Sequence, residues 1–141
     1  MRRESDLGGA LAGGEISLAG GALRSGADGG AMLVGGRCHA CDTRTFPAYA
    51  VCPRCMGEDV GEEAMPRRGV VYAATTVHVG PQRWPKPFVV GYVDLANGVR
   101  LFAHLRGDPP IGAEVELDHD VVGRDPDGTP VTSFVFRAVA A

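Results

Sequence analysis

Four cysteines, Cys38, Cys41, Cys52 and Cys55, are the only ones in the 141-residue chain. They fall in one stretch, RCHACDTRTFPAYAVCPRC over residues 37–55, as two C-x-x-C pairs. Three chemistries use such pairs. Two disulfides suit a small secreted domain whose core is too small to hold it. A redox dithiol needs one C-x-x-C, usually beside a βαβ pattern, and here there are two pairs and no such pattern. Tetrahedral zinc takes four thiolates, two from each tight turn, and the ten-residue spacer lets the second turn fold back onto the first. The opening MRRESDLGG has no apolar run behind its basic start, and no stretch is long enough to span a membrane. A reducing, cytoplasmic setting is therefore expected, and zinc is preferred over disulfides. Four thiolates leave no open coordination position, so the predicted zinc is structural, not catalytic. His39, inside the first pair, is read as a turn residue at the surface and not as a ligand.

No catalytic residue is predicted elsewhere. With every cysteine committed to metal, no thiol is left as a nucleophile. Ser5, Ser17, Ser25 and Ser133 are the only serines, and none lies in G-x-S-x-G. His78, His104 and His119 stand singly on strand-like segments and read as solvated or satisfied residues. Asp118 and Asp120, flanking His119, read as a solvated strand end. There is no G-x-G-x-x-G or phosphate-loop pattern.

The elements that must position the cysteines are β-rich. The first 36 residues hold 11 of the 21 glycines. Each glycine inside a helix costs about 1 kcal/mol relative to alanine, so residues 1–30 are expected to be a mobile or partner-ordered arm. AMLVGGR, 31–37, is predicted to be a strand leading into the first cysteine turn, within a ribbon over 31–66. Beyond it the apolar residues alternate with period two. VVYAATTVHV (70–79), FVVGYVDL (88–95), VRLFAHL (99–105), AEVELDHDVV (113–122) and VTSFVFRAV (131–139) are predicted strands. Ala96-Asn97-Gly98 marks a hairpin. One face of that hairpin, Val89, Gly91, Val93 and Leu95 with Val99, Leu101, Ala103 and Leu105, is predicted core. The other carries Phe88, Tyr92, Arg100, Phe102 and His104. Gly91 in mid-strand suggests a bulge or bend. The fold class that follows is mainly β: a four-cysteine zinc ribbon, then a small five-stranded OB-type barrel over 67–141.

LVGGRCHACDTRTFP, VCPRC, RRGVVYAATTVHV, PFVVGYVDLANGVRLFAHL and IGAEVEL, in that order, resemble the DUF35 family, zinc ribbons joined to OB folds. The resemblance covers roughly 31–141 and leaves out the glycine-rich arm. Two positions depart from the family pattern. Where the family has Gly after the second Cys of each pair, this chain has Asp42 and Met56. Both are expected at positive φ, with the second turn slightly reshaped because Gly57 comes one residue late. The resemblance implies a non-catalytic subunit that pairs with a thiolase-like or hotdog-fold hydratase enzyme and helps to hold acyl-CoA or close its channel. It implies a hetero-oligomer with two copies of each chain. Arginine suits the phosphates of CoA and an aromatic shelf its adenine. The candidate contacts for acyl-CoA or the partner are Arg67 and Arg68 at the ribbon–barrel junction, and Arg83, Trp84 and Lys86 in the loop GPQRWPKP. Trp84 reads equally as a cover over the barrel end. The rival reading is a single-stranded nucleic-acid module, with Tyr92 and Phe102 stacking bases. Against it stands a net charge of −3 and a barrel half with 8 basic and 8 acidic residues, which offers little counterion-release binding. Neither nucleic acid nor a membrane is an expected partner.

Overall fold

The structure, a computed structural model, describes residues 9–10, 16–17 and 19–139. Its strands in chain order are β1 (Gly9–Ala10), β2 (Ile16–Ser17), β3 (Leu23–Ser25), β4 (Ala31–Cys38), β5 (Arg44–Thr45) and β6 (Val60–Ala64), followed by β7 (Arg68–Val77), β8 (Phe88–Leu95), β9 (Arg100–Arg106), β10 (Glu114–Arg124) and β11 (Pro130–Ala138). Among the described residues there is no α-helix, only a 3-10 turn at Gly20–Ala22.

β4 organises the ribbon half. It pairs antiparallel with β3 at one end and with β5 and β6 further along. The other chain segments come very close to it: a Cβ on Gly35 would collide with the Thr45 carbonyl oxygen. The five strands β7 to β11 form the barrel, in the order β10-β7-β8-β9-β11, closed by the long β10–β11 pairing. β9 and β11 run parallel, as an OB-type closure requires. The β8–β9 connection is the predicted turn: Gly98 has φ 89°, and the Asn97 side-chain oxygen accepts from the Val99 N–H. A glycine is required there because only it takes that φ without strain.

The barrel interior is packed by Val71, Val93, Leu101, Leu105, Val115, Leu117 and Phe136, all buried. Of the hairpin face predicted as core, Val89 is only partly buried and the rest is buried. Leu23, Ala31, Leu33 and Met65 belong to the same cluster, so the ribbon half and the barrel share a core. This corrects the picture of a loose arm over its last dozen residues. Leu23–Ser25 is a strand, and Leu23 is 2% exposed. The expectation for residues 1–8, 11–15 and 18 lies outside the described residues.

Gly91 is expected to mark a bulge or bend, and the bulge is found on the neighbouring strand. Its own strand runs in unbroken register, opposite Ala74 and Ala103. The bulge lies across from it, between Val71 and Ala73 of β7. A Cβ on Gly91 would collide with the Ala73 carbonyl oxygen, so the glycine is there to admit the bulged strand. A second bulge, between Val121 and Gly123 of β10, shapes the opposite end of the barrel.

Candidate metal centre and barrel face

Both cysteine turns are built alike. In the first, the Asp42 N–H donates to the Cys38 carbonyl and the Cys38 N–H to the Thr43 carbonyl. In the second, the Met56 N–H donates to the Cys52 carbonyl and the Cys52 N–H to the Gly57 carbonyl. The turning residue sits at positive φ in each, Asp42 at 66° and Met56 at 65°. The expected reshaping of the second turn is absent: Met56 itself adopts the left-handed conformation, which costs an L residue about 1–2 kcal/mol. Asp42 is held by ion pairs to Arg37 at 2.5 Å and Arg44 at 3.3 Å, and Arg44 reaches on to Glu63 at 2.7 Å. The Arg37 hydrogen bond, with the charges of Arg37 and Arg44, holds the Asp42 carboxyl below its ordinary range. Met56 has no such anchor and is 72% exposed.

The four sulfurs converge, all within 4.8 Å of one another. Cys38 Sγ lies 3.5 Å from Cys55 Sγ, and Cys41 Sγ lies 3.6 Å from Cys52 Sγ. A tetrahedron with Zn–S bonds of about 2.3 Å has sulfur–sulfur edges of about 3.8 Å, so the set fits one zinc ion. The thiols are also electrostatically unequal. Hydrogen bonds from the Thr43 hydroxyl and N–H bring Cys41 down to about 6. At Cys55 the Gly57 N–H pulls downward, but the neighbouring sulfurs of Cys38 and Cys41 outweigh it and push the thiol up to about 12. Crowded sulfurs cannot all ionise together unless a cation sits among them, which is what zinc supplies. His39 is not part of the set. Its Nδ1 lies 3.1 Å from Asp59 Oδ1, its ring is packed on Gly61, and it is exposed, as the sequence suggested. Phe46, between the pairs, meets Phe134 of β11 edge to face at 5.5 Å, tying the ribbon to the barrel.

The five candidate contact residues do not form one site. Arg67 pairs with Asp28 at 2.7 Å. Arg68 pairs with Glu114 at 2.8 Å and Glu116 at 3.1 Å. Arg83 Nε lies 2.9 Å from Asp125 Oδ1, close enough to pair though its N–H is not aligned to donate. Its guanidinium carbon is 5.1 Å from the centre of the Trp84 ring. Lys86 donates to the Pro81 and Trp84 carbonyls, both at 2.7 Å, and so fastens its own loop. Arg68 faces Glu116 near the start of β10, while the Arg83 carbonyl accepts from Arg124 N–H at its end. The two places are eight residue steps apart along β10, up to about 26 Å at 3.3 Å per step.

Trp84 folds onto the barrel. It packs on Val122, Val131 and Val135, a second buried cluster outside the main core. A Cβ on Gly123 would collide with its ring. Beside it opens an apolar groove of about 280 Å³ lined by Val77, Trp84, Phe88, Val90, Phe102 and His104. Phe88 and the His104 ring stack at 5.3 Å. Burial, aided by the charge of Arg106, lowers the pKa of His104. Along the same outer face Tyr92 and Phe102 meet at 5.4 Å, and the Arg100 guanidinium lies 3.4 Å from the centre of the Tyr72 ring while pairing with Asp94 at 2.6 Å. Alternation placed Phe88, Tyr92, Phe102 and His104 on this face in advance. It did not identify Val77 and Val90 as groove residues. The signal for Val90 is that Phe88-Val89-Val90 is apolar on both faces, the mark of a strand covered on both sides.

Known proteins share this arrangement. Residues 33–61 match the ChsH2 rubredoxin-like zinc ribbon domain, and residues 62–120 match the ChsH2 C-terminal OB-fold domain. The chain is 36% identical over 121 residues to benzoylsuccinyl-CoA thiolase subunit BbsA of Thauera aromatica, covering 83% of this chain and 84% of that one. It is 32% identical over 115 residues to a DUF35 domain-containing scaffold protein of Methanocaldococcus jannaschii, covering 76% of this chain and 82% of that one. Among solved structures, a chain of the Ltp2–ChsH2(DUF35) aldolase superposes with a TM-score of 0.63 at 33% identity, over 77% of this chain and 86% of that one.

Proposed function

This chain belongs to the DUF35 family, and on that premise we propose that it is a zinc-holding, non-catalytic subunit of a thiolase-like enzyme acting on acyl-CoA. The observation that carries the reading is the alignment with a thiolase subunit over more than four-fifths of both chains. The likeness to the DUF35 chain of an aldolase assembly supports the same role. Zinc, when bound by Cys38, Cys41, Cys52 and Cys55, supplies the charge that lets four thiolates coexist. The chain's own residues do the rest by binding and positioning.

The surface offered to the partner is the outer face of β7–β8–β9. Tyr72, Tyr92 and Phe102 are large, exposed and contiguous, with Phe102 54% exposed, and large aromatics anchor interfaces. The assembly is proposed to hold two copies of each chain. Arg67, Arg68, Arg83, Trp84 and Lys86 remain candidates for contact with the partner or with CoA. An anion reaching Arg67, Arg68 or Arg83 has to compete with Asp28, with Glu114 and Glu116, or with Asp125.

The test is co-purification from the native host. A thiolase-like protein should travel with this chain as a stable hetero-oligomer, and the isolated chain should turn over no acyl-CoA. Tyr92→Ala should weaken the complex by about 2 kcal/mol while leaving zinc content unchanged. A hotdog-fold hydratase as the partner would redirect the reading, and acyl transfer by the isolated chain would end it. The Tyr92–Phe102 pair also suits base stacking. Salt-sensitive micromolar binding of single-stranded DNA would favour that rival.

A further inference from the structure

We propose that the groove between the β8–β9 face and the 78–87 loop is a binding site for one uncharged aryl or alkyl group of a small-molecule ligand. Its place in the fold is the first argument. In OB barrels the face of the second and third strands, flanked by the first–second and fourth–fifth loops, is where ligands lie. Here those strands are β8 and β9, and Trp84 comes from the first of those loops. That loop meets the start of the other through Arg83 and Asp125.

Its chemistry is the second argument. Among the described residues, each cation near it already has an oxygen partner. Arg83 lies in ion-pair range of Asp125, Lys86 is held by two carbonyls of its own loop, Arg100 by Asp94 and Arg106 by Asp120. Among the described residues the one titratable lining group is His104, whose ring lies against Phe88 and whose burial disfavours its charged form. Such a site cannot repay the desolvation of a phosphate or carboxylate, so it discriminates against the nucleotide end of a CoA thioester and in favour of an apolar end. Its size is the third argument. A dry apolar cavity of about 150 Å³ holds benzene; about 280 Å³ admits a ring with several further carbons. Phe102 lines it and touches the exposed Tyr92, so a group seated here would lie at the edge of the proposed partner surface. The proposal rests on the subunit reading only for what that group is attached to.

The chain's single tryptophan lies in the groove wall, so its fluorescence reports occupancy directly. The full chain, zinc-loaded and without a partner, is titrated with benzyl alcohol, benzoate and adenosine 3′,5′-bisphosphate. Benzyl alcohol should change Trp84 emission saturably at about millimolar concentration. Benzoate should bind at least about tenfold more weakly, since its charge would be buried unpaired, and the bisphosphate should leave Trp84 unaffected. Val77→Phe, which fills the groove from the end of a strand, should weaken benzyl alcohol binding at least about tenfold. An unaltered amide spectrum elsewhere would show that the fold is kept. A linear, non-saturating response, a preference for benzoate or the bisphosphate, or full affinity in a folded Val77→Phe variant would overturn the site. So would an assembled complex in which Trp84 emission is already shifted and benzyl alcohol no longer binds, because the groove would then seat a partner side chain. The titration needs no partner, so its failure is distinct from failure of the subunit reading.

Discussion

The ribbon and the barrel reach order by opposite means. In the ribbon, two hydrogen-bonded turns bring four sulfurs within 4.8 Å of one another, and few buried side chains surround them. In the barrel, order comes from many apolar contacts around Phe136 and from strand register, with two bulges deciding where faces meet. The ribbon therefore depends on four atoms of one chemistry, whereas in the barrel no single atom is decisive.

Removing one ribbon ligand should have the largest effect. Cys52→Ser should abolish stoichiometric zinc in elemental analysis and unfold the ribbon, because structural zinc contributes about 10–16 kcal/mol of apparent binding free energy in small zinc modules. Retention of one zinc per chain by that variant would break the contrast. Phe136→Ala attacks the barrel at a fully buried side chain. It should cost about 3–5 kcal/mol in urea denaturation, with zinc content of the folded fraction unchanged. Loss of zinc in proportion to barrel stability would show the two halves to be one cooperative unit.

Met56→Gly sharpens the comparison inside the ribbon. It relieves a left-handed methionine and should raise stability by about 0.5–1 kcal/mol, measured by thermal unfolding. Asp42→Gly should give no such gain, since it also removes the pairs to Arg37 and Arg44. The smallest effect belongs to His104. Burial lowers its pKa in the folded chain, so the unfolded chain takes up the proton first as pH falls. The stability it contributes is complete above the ordinary histidine range and declines as pH drops toward the folded value. In His104→Gln that part of the pH dependence should vanish, as read from urea midpoints between pH 5 and pH 7.

What could be read in advance follows the same division. Cys38, Cys41, Cys52 and Cys55 were legible because metal chemistry demands a residue type at a spacing, and sequence records both. The hairpin face of β8 and β9 was legible because alternation has a fixed period. Gly91 reads as a bulge or bend, and the bulge beside it belongs to β7, because a glycine marks a close approach without saying which strand is displaced. Leu23 was missed because a lone apolar residue among glycines carries no periodicity; only its pairing with Leu33 gives it a place. The pairing of Arg67, Arg68 and Arg83 with carboxylates distant in sequence could not be read either, since each partner is brought in by the tertiary fold.

The shared core bears on how the chain is made. Synthesis runs from the N-terminus, and domains tend to fold in that order. Both cysteine turns are complete by Gly57, so zinc can be captured early. Leu23, Leu33 and Met65, however, belong to a cluster that is completed only by later strands, down to Phe136 on the last of them. Between those two moments the emerging chain carries a finished metal turn beside an uncovered apolar strip. A chaperone or the partner subunit would meet it in that state, already loaded with zinc and not yet closed.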